Sequence, residues 1–350
     1  MGTSRALQRL LMVQSVPRRI LLITAAASLA GSFLAAFQGW PAWVIGALVV
    51  LPWVPVLTSE VIWTYRHYGW LALFYLLVVT QGGHVIEHLV QMIQIHLLGL
   101  RGPAARGVFG MLDIEWVHFL WNSWVLVAVT LLLRRFRSNR WLWATLALAA
   151  WHETEHVVMM VMYLGRGLAG SPGLLARGGL VAGGLPLTRP DLHFLYNLIE
   201  TTPLAMAFLV QLREVHNRWL SRALPRVPTP VLAEATANLQ VARFPAGATI
   251  LRQGDAADAF YVVARGEVAV SRVGREGETR VEIGTLGPGE YFGEIGLLGE
   301  QGRTATVVAR GPVELLILDR KGFARLVAAS QAAREDLSEA ADRRLARTAG

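Results

Sequence analysis

Residues 286–310 read LGPGEYFGEIGLLGEQGRTATVVAR, and residues 244–270 ahead of them read FPAGATILRQGDAADAFYVVARGEVAV. Short β-branched and aromatic runs alternate with polar residues, and Gly254, Gly266 and Gly289 fall at the breaks. Half-buried strands need that alternation, and tight turns need glycine's freedom at positive φ. The pattern predicts a small β-barrel of jelly-roll type. Phe292 to Leu298 departs from the alternation and reads as a short helix; Asp319–Val327 and Gln331–Arg347 read as two more.

The segment FGEIGLL followed by RTA, with Glu294 and Arg303 nine positions apart, resembles the cyclic nucleotide-binding domain family over about residues 236–328. The resemblance implies a site for a sugar phosphodiester. A single negative charge needs a cation and amide donors, and Arg303 supplies a guanidinium. The amides around Gly293, Glu294 and Ile295 open a helix, whose N-terminus attracts anions. As in the family, Glu294 would accept from the ribose 2′-hydroxyl and Thr304 would reach phosphate or base. Gly296 keeps the backbone close to the ligand. Cyclic AMP is favoured over cyclic GMP, which Thr304 leaves open. Residues 329–350 would form the lid helix; its alternating charges read as a solvated face, so no base-reading residue is assigned there.

The rest of the chain is of another kind. It has 350 residues, 53% of them hydrophobic, and eleven of its twelve tryptophans precede residue 152. That division predicts a membrane domain followed by a soluble one. No cysteine is present, which excludes disulfides, thiolate-bound zinc, cysteine-ligated iron–sulfur clusters and thiolate haem. The net charge of +8 is largely explained by arginines flanking apolar segments, so no nucleic-acid partner is expected.

A membrane span needs ~20 mainly apolar residues. Six segments qualify, at about 19–38, 42–63, 69–99, 114–133, 141–164 and 191–212. Arg5, Arg9, Arg18, Arg19, Arg66, Arg134, Arg135, Arg137 and Arg140 lie on one side and mark it as cytoplasmic. The expected organisation is a cytoplasmic tail (1–18), an all-α six-helix transmembrane bundle (19–212), a linker (213–235), the nucleotide-binding barrel (236–328) and a C-terminal lid helix (329–350). The protein is then integral to the cell membrane, in contact with its lipids, with N-terminus and barrel inside. A homo-oligomer is compatible with this plan.

Within the apolar region a polar motif occurs twice. HVIEHLVQM (84–92) and HETEHVVMM (152–160) share H-x-x-E-H; HFLWN (118–122) and HFLYN (193–197) share H-F-L-aromatic-N. Residues 69–133 and 141–212 therefore read as two copies of one helical hairpin, a repeat whose interface is a usual place for a site. Positions i, i+3 and i+4 share a helix face, so each copy presents its histidines and glutamate together. Their depth puts all six histidines in the outer half of the bilayer.

Ionisable groups inside a bilayer cost ~2.5–3.5 kcal/mol or more each unless paired. Metal coordination suits imidazole and carboxylate together. His84, His88, His118, His152, His156 and His193, with Glu87 and Glu155 as bridging or proton-shuttling groups, would hold two transition-metal ions, iron favoured and zinc admissible. In that reading Glu87 and Glu155 are the catalytic candidates. Glu115 and Glu200 would act behind the ligands, and Asn122 and Asn197 would orient imidazoles. The style of ligation is loosely similar to that of histidine-box di-iron membrane enzymes, whose HxxxH boxes match His84/His88 and His152/His156; no HxxHH box occurs.

HETEH also fits the zinc-peptidase signature H-E-x-x-H through Glu153, but Val85 stands at the matching place in the first copy. A gated channel fits six spans and this barrel, yet residues 165–190 show no TVGYG-like filter and no span carries an arginine ladder. The polar-network alternative needs no metal. The expectation is thus a membrane metalloprotein regulated by a cyclic nucleotide, oxidising a lipid-soluble substrate; the alternative is a transporter, sensor or channel without covalent chemistry.

Overall fold

The computed structural model describes residues 16–108, 115–167, 170–236, 239–273, 280–299 and 302–346. Arg5 and Arg9 of the expected cytoplasmic tail and Arg347 of the expected lid lie outside the described residues. The chain divides into two compact units, Met1–Gln211 and Leu212–Gly350.

The first unit is helical. α1 (Arg18–Phe37) is followed by α2 (Ala42–Val50), which passes through a 3-10 turn at Leu51–Trp53 into α3 (Val54–Tyr68). α4 (Leu71–Met92) runs into a π-turn at Ile93–Leu97; α5 (Glu115–Arg135), α6 (Arg140–Arg166) and α7 (Arg189–Ala223) as far as Gln211 complete the unit. Pro52 and Pro55 sit where α2 gives way to α3, at places where a missing N–H is tolerated. Asn139 starts α6: its Oδ1 accepts from the amides of Trp141 and Leu142, while its Nδ2 donates to the Ala207 carbonyl at 2.8 Å. Phe74 meets Phe208 edge-on at 5.6 Å, and Leu132, Leu142 and Leu204 are fully buried in the same unit.

Among the described residues, four helical segments are long and apolar enough to cross a membrane: Arg18–Phe37, Ala42–Arg66, Leu71–Leu97 and Glu115–Arg135. Exposed apolar side chains occur on each, among them Phe33 on the first, Ile62 on the second, Ile86 on the third and Leu120 on the fourth, surface that water disfavours. α6 and α7, expected as spans five and six, are not among the four; they carry much of the buried polar cluster. α7 also outruns the expected span, continuing to Ala223 through residues anticipated as linker, with Pro203 inside it.

The second unit is an antiparallel sandwich. α8 (Thr229–Thr236) precedes β1 (Gln240–Phe244), β2 (Thr249–Leu251), β3 (Ala259–Arg265), β4 (Val268–Arg272), β5 (Val281–Leu286), β6 (Tyr291–Phe292), α9 (Glu294–Leu298), β7 (Thr306–Ala309) and β8 (Val313–Asp319). α10 (Arg320–Ala329) and α11 (Gln331–Ala346) follow. One sheet has the order β1-β8-β3-β6 and the other β2-β7-β4-β5. β3 is buried on both faces, since Phe260 and Val262 pack toward the helices and Tyr261 and Val263 into the sandwich interior. Gly254, Gly266 and Gly289 all take positive φ, as their turns require. The expected helix from Phe292 begins two residues later: Phe292 pairs with Tyr261 in the sheet, and Gly293, at φ 87°, turns the chain before α9 starts.

Candidate functional site

Two constellations stand out, one in each unit. In the sandwich, a cavity of about 280 Å³ is bounded by α9, by the segment Arg303–Ala305 and by the end of α11. Gly293, Glu294, Ile295, Gly296, Arg303 and Thr304, the six residues expected to bind nucleotide, all line it. Arg303 is 4% exposed. Its Nη2 donates to Asp258 Oδ1 at 2.7 Å and to the Ala259 carbonyl at 2.9 Å, and its Nη1 donates to the Gly293 carbonyl at 3.1 Å. The guanidinium also lies 5.6 Å from the Tyr261 ring centre. Burial raises the Tyr261 phenol above its ordinary range and keeps that ring neutral. The Arg303 Nε–H has no protein partner, although it is buried. A buried cation with an unspent donor at the wall of a cavity suits an anion.

α9 has only five residues, so the expected attraction of a helix N-terminus gives way to the local amides themselves. Gly293 is required for a different reason. Besides its positive φ, a Cβ there would lie 2.8 Å from Arg303 Nη1 and 3.1 Å from the Ala259 carbonyl. Gly293→Ala is expected to displace the arginine and to add about 1–2 kcal/mol of left-handed strain. Titration calorimetry with cyclic AMP should show weaker binding, and thermal unfolding a lower midpoint.

The lid helix differs from its expected solvated role. Arg344 and Leu345 line the cavity, and Arg344 Nη1 donates to Glu294 Oε1 at 2.7 Å. Asp258 and Arg344 were not anticipated. Asp258 gave no signal, but Arg344 lies seven residues after buried Leu337 and so shares its face.

In the helical unit the six histidines converge. Two groups place their ligand atoms within 4.8 Å of one another: His84, His88, His118 and His193, and then His152, His156 and His193. A tetrahedral cation with metal–nitrogen distances of ~2.0–2.1 Å sets its ligands roughly 3.3 Å apart, so pairs now up to 4.8 Å apart would have to close by up to about 1.5 Å around an ion. His84 Nε2 and His88 Nε2 are already 3.3 Å apart. The two groups overlap at His193, whose ring centre lies 4.8 Å from those of His88, His152 and His156. His152 Nε2, both ring nitrogens of His156 and His193 Nε2 are buried without a hydrogen-bond partner. Orphaned imidazole nitrogens facing one another are costly unless something binds them.

Groups behind the ligands fix two rings. Glu200 Oε2 lies 2.9 Å from His152 Nδ1, and Gln91 Oε1 lies 3.2 Å from His88 Nδ1. Each leaves Nε2 facing inward, as an outer carboxylate or amide does for a metal-bound histidine. Gln91 was missed, although it sits three residues beyond His88 on the same face. Gln81, three before His84, bonds Asn197 Oδ1 at 3.1 Å and accepts from Trp121 at 2.9 Å.

Five other residues stand differently from the expectation. Glu87 and Glu155 belong to neither histidine group. Glu155 Oε1 accepts from the Leu174 amide at 2.9 Å, and a Cβ on Gly173 would lie 2.5 Å from the same oxygen. In the first copy a Cβ on Gly107 would lie 2.3 Å from Glu87 Oε1. Both carboxylates thus meet a left-handed glycine in the loop after their own helix, and the duplication extends to this contact. Asn122 and Asn197 donate to the carbonyls of His118 and His193, each at 2.9 Å, instead of to an imidazole. Glu115 forms a two-pronged pair with Arg189, at 2.8 and 2.7 Å, and accepts from the Gly170 amide. Outside the cluster, His96 is exposed and 2.6 Å from Asp191. His216 is buried, and burial lowers the pKa of its imidazole to about 4.

Comparison with known proteins bears on the sandwich. Residues 241–330 match the model of the cyclic nucleotide-binding domain. A cGMP-dependent protein kinase, egl-4 of Caenorhabditis elegans, is 43% identical over 95 residues, which are 27% of this chain and 12% of the kinase. The regulatory domain of Toxoplasma gondii PKA with cAMP is 27% identical, with a TM-score of 0.37, covering 45% of this chain and 56% of that one. The Thermus thermophilus Catabolite Activator Protein is 33% identical, with a TM-score of 0.34, covering 37% and 60%. This chain therefore spans a small part of the kinase and under two thirds of either structure. With the family model, the FGEIGLL and RTA segments and the cavity they line in agreement, residues 241–330 are a cyclic nucleotide-binding domain.

Proposed function

We propose that the protein is an integral membrane metalloprotein controlled by a cyclic nucleotide, cyclic AMP in preference to cyclic GMP. Its six spans are α1, α2 with α3, α4, α5, α6 and the first part of α7, with the N-terminus and the nucleotide-binding domain in the cytoplasm. His84, His88, His118, His152, His156 and His193 are the metal ligands. Gly293, Glu294, Ile295, Gly296, Arg303 and Thr304 hold the nucleotide.

The observation that carries the metal reading is the set of buried, unpartnered imidazole nitrogens converging on His193. Imidazole suits iron, zinc, copper and nickel alike. Iron there would supply redox chemistry for oxidising a lipid-soluble substrate. The chain's own part is to aim the Nε2 atoms of His88 and His152 through Gln91 and Glu200, and to exclude water. Glu87 and Glu155 are better assigned as loop anchors than as bridging carboxylates. Their withdrawal supports a second reading, in which the cluster senses or moves a metal ion without covalent chemistry.

Metal analysis of the purified full-length protein in detergent separates these. Bound iron favours oxidation, and bound zinc favours sensing or transport. A metal-free wild type, together with a folded His88→Ala variant, would leave a polar network and end the metal reading. Calorimetry with cyclic AMP tests the nucleotide assignment independently.

A further inference from the structure

A further recess lies in the helical unit, away from the histidines, between the start of α1 and α3. It is a groove of about 500 Å³, bounded on one side by Pro17 and Ile20 and on the other by Val56, Ser59, Trp63 and Arg66. The four α3 positions recur at steps of three and four, so they form one stripe along that helix. Most of the lining is apolar, and Ser59 turns its hydroxyl back to the Pro55 carbonyl at 2.8 Å. From Pro55 to Arg66 the groove follows α3 for ~16 Å, at ~1.5 Å per residue. A headgroup layer is only ~5–8 Å deep, so a groove of that length passes from headgroups into hydrocarbon.

Positive charge collects at its mouth. Arg66 lines the groove near the end of α3, and Arg18 and Arg19 stand between the lining residues Pro17 and Ile20. All three arginines are exposed, and among the described residues none of them has a carboxylate partner. α1 carries no carboxylate; α3 carries only Glu60, which is 3% exposed and lies outside the lining. Exposed Tyr65 adjoins Arg66, and the ring of Trp63 lies 5.7 Å from that of Tyr68, an aromatic setting typical of a membrane boundary. Any acyl chain would suit the apolar trough. Unpaired cations at its mouth select a negative headgroup, as basic recesses between membrane helices do.

Resting on the membrane reading above, we propose that this groove binds one anionic phospholipid of the cytoplasmic leaflet. Its phosphate sits at Arg66, Arg18 and Arg19, and an acyl chain runs along Ile20, Ser59 and Val56. Lipid that merely surrounds the spans has no need of the trough, and it would respond alike to every arginine on that side.

Native mass spectrometry of the full-length protein in detergent, titrated with phosphatidylglycerol and with phosphatidylcholine, separates the two cases. The wild type is expected to hold one phosphatidylglycerol about tenfold or more tightly than phosphatidylcholine. Arg66→Gln is expected to weaken phosphatidylglycerol by about fivefold and leave phosphatidylcholine unchanged. Ser59→Phe fills the trough and should lose the tightly held molecule, while Arg137→Gln, outside the groove, should change neither lipid. Circular dichroism checks folding; should Ser59→Phe not fold, the contrast between Arg66→Gln and Arg137→Gln decides. Equal binding of the two lipids by the wild type overturns the proposal, as does wild-type retention of phosphatidylglycerol by a folded Ser59→Phe variant. Equal effects of Arg66→Gln and Arg137→Gln also overturn it, since they mark general surface attraction. Binding that appears only after residues 2–14 are removed gives the groove to the chain's own N-terminal segment and overturns it too. A protein that stays in solution without detergent overturns the membrane reading itself.

Discussion

Arg303→Ala is expected to weaken cyclic AMP binding by about a hundredfold or more, since two charge-assisted hydrogen bonds at ~1.5 kcal/mol each amount to about 3 kcal/mol. The residue is buried beneath the cavity, with Nη atoms committed to Asp258, Ala259 and Gly293 and Nε facing no protein acceptor. A phosphodiester oxygen can take the unspent donor and draw on the others. Arg303→Lys keeps the charge but not the fork, and a lysine cannot serve three acceptors from a single nitrogen position while also reaching a ligand. It should recover little of the loss. Calorimetry on the full-length protein reads both variants, and circular dichroism checks that the sandwich persists. Binding of cyclic AMP by a folded Arg303→Ala variant at wild-type strength would falsify the phosphate contact. Because Asp258 is largely exposed, losing its partner costs the fold little; the carbonyls of Ala259 and Gly293 are the groups left unmet.

The sandwich was legible because its signals are local. Alternation, turn glycines and the paired Glu294 and Arg303 all lie within one contiguous stretch, and each reports on its own neighbourhood. What was not legible there depends on chain far away. Asp258 reaches Arg303 across 45 positions, and Arg344 reaches Glu294 across 50. The convergence of the histidines was legible for a related reason, since the repeated spacing puts them on matching faces. The roles of the accompanying carboxylates were not. Glu87 and Glu155 share a face with the histidines, but a helix face does not say which way along its axis a long side chain leans. In this structure both lean to loops whose left-handed glycines leave room for the carboxylate. The interruption of buried imidazoles by amides has the same origin. Gln81 and Gln91 lie one turn from a histidine on the same helix, and polar residues at that spacing were as visible as the glutamates.

On the metal reading proposed above, His193→Ala is expected to strip the helical unit of all metal, whereas His84→Ala should spare the second group. The asymmetry follows from the overlap, because His193 alone belongs to both sets of ligand atoms. Loss of a direct ligand should exceed the roughly 10–100-fold that losing an outer partner costs. Glu200→Gln provides that smaller effect, since it weakens the partner of His152 Nδ1 without touching a ligand, and it should lower affinity at the second group only. The reading is plasma emission or mass spectrometry on protein purified at defined metal concentration, with circular dichroism and size exclusion as folding controls. Should His193→Ala not fold, His193→Gln retains bulk and polarity at a position that is 7% exposed and serves in its place. Two independent sites would each survive the loss of the other's ligands, so metal retained in a folded His193 variant at wild-type content would refute the shared centre. Graded loss across His84→Ala, Glu200→Gln and His193→Ala is what a single ring standing between two sets of imidazoles requires.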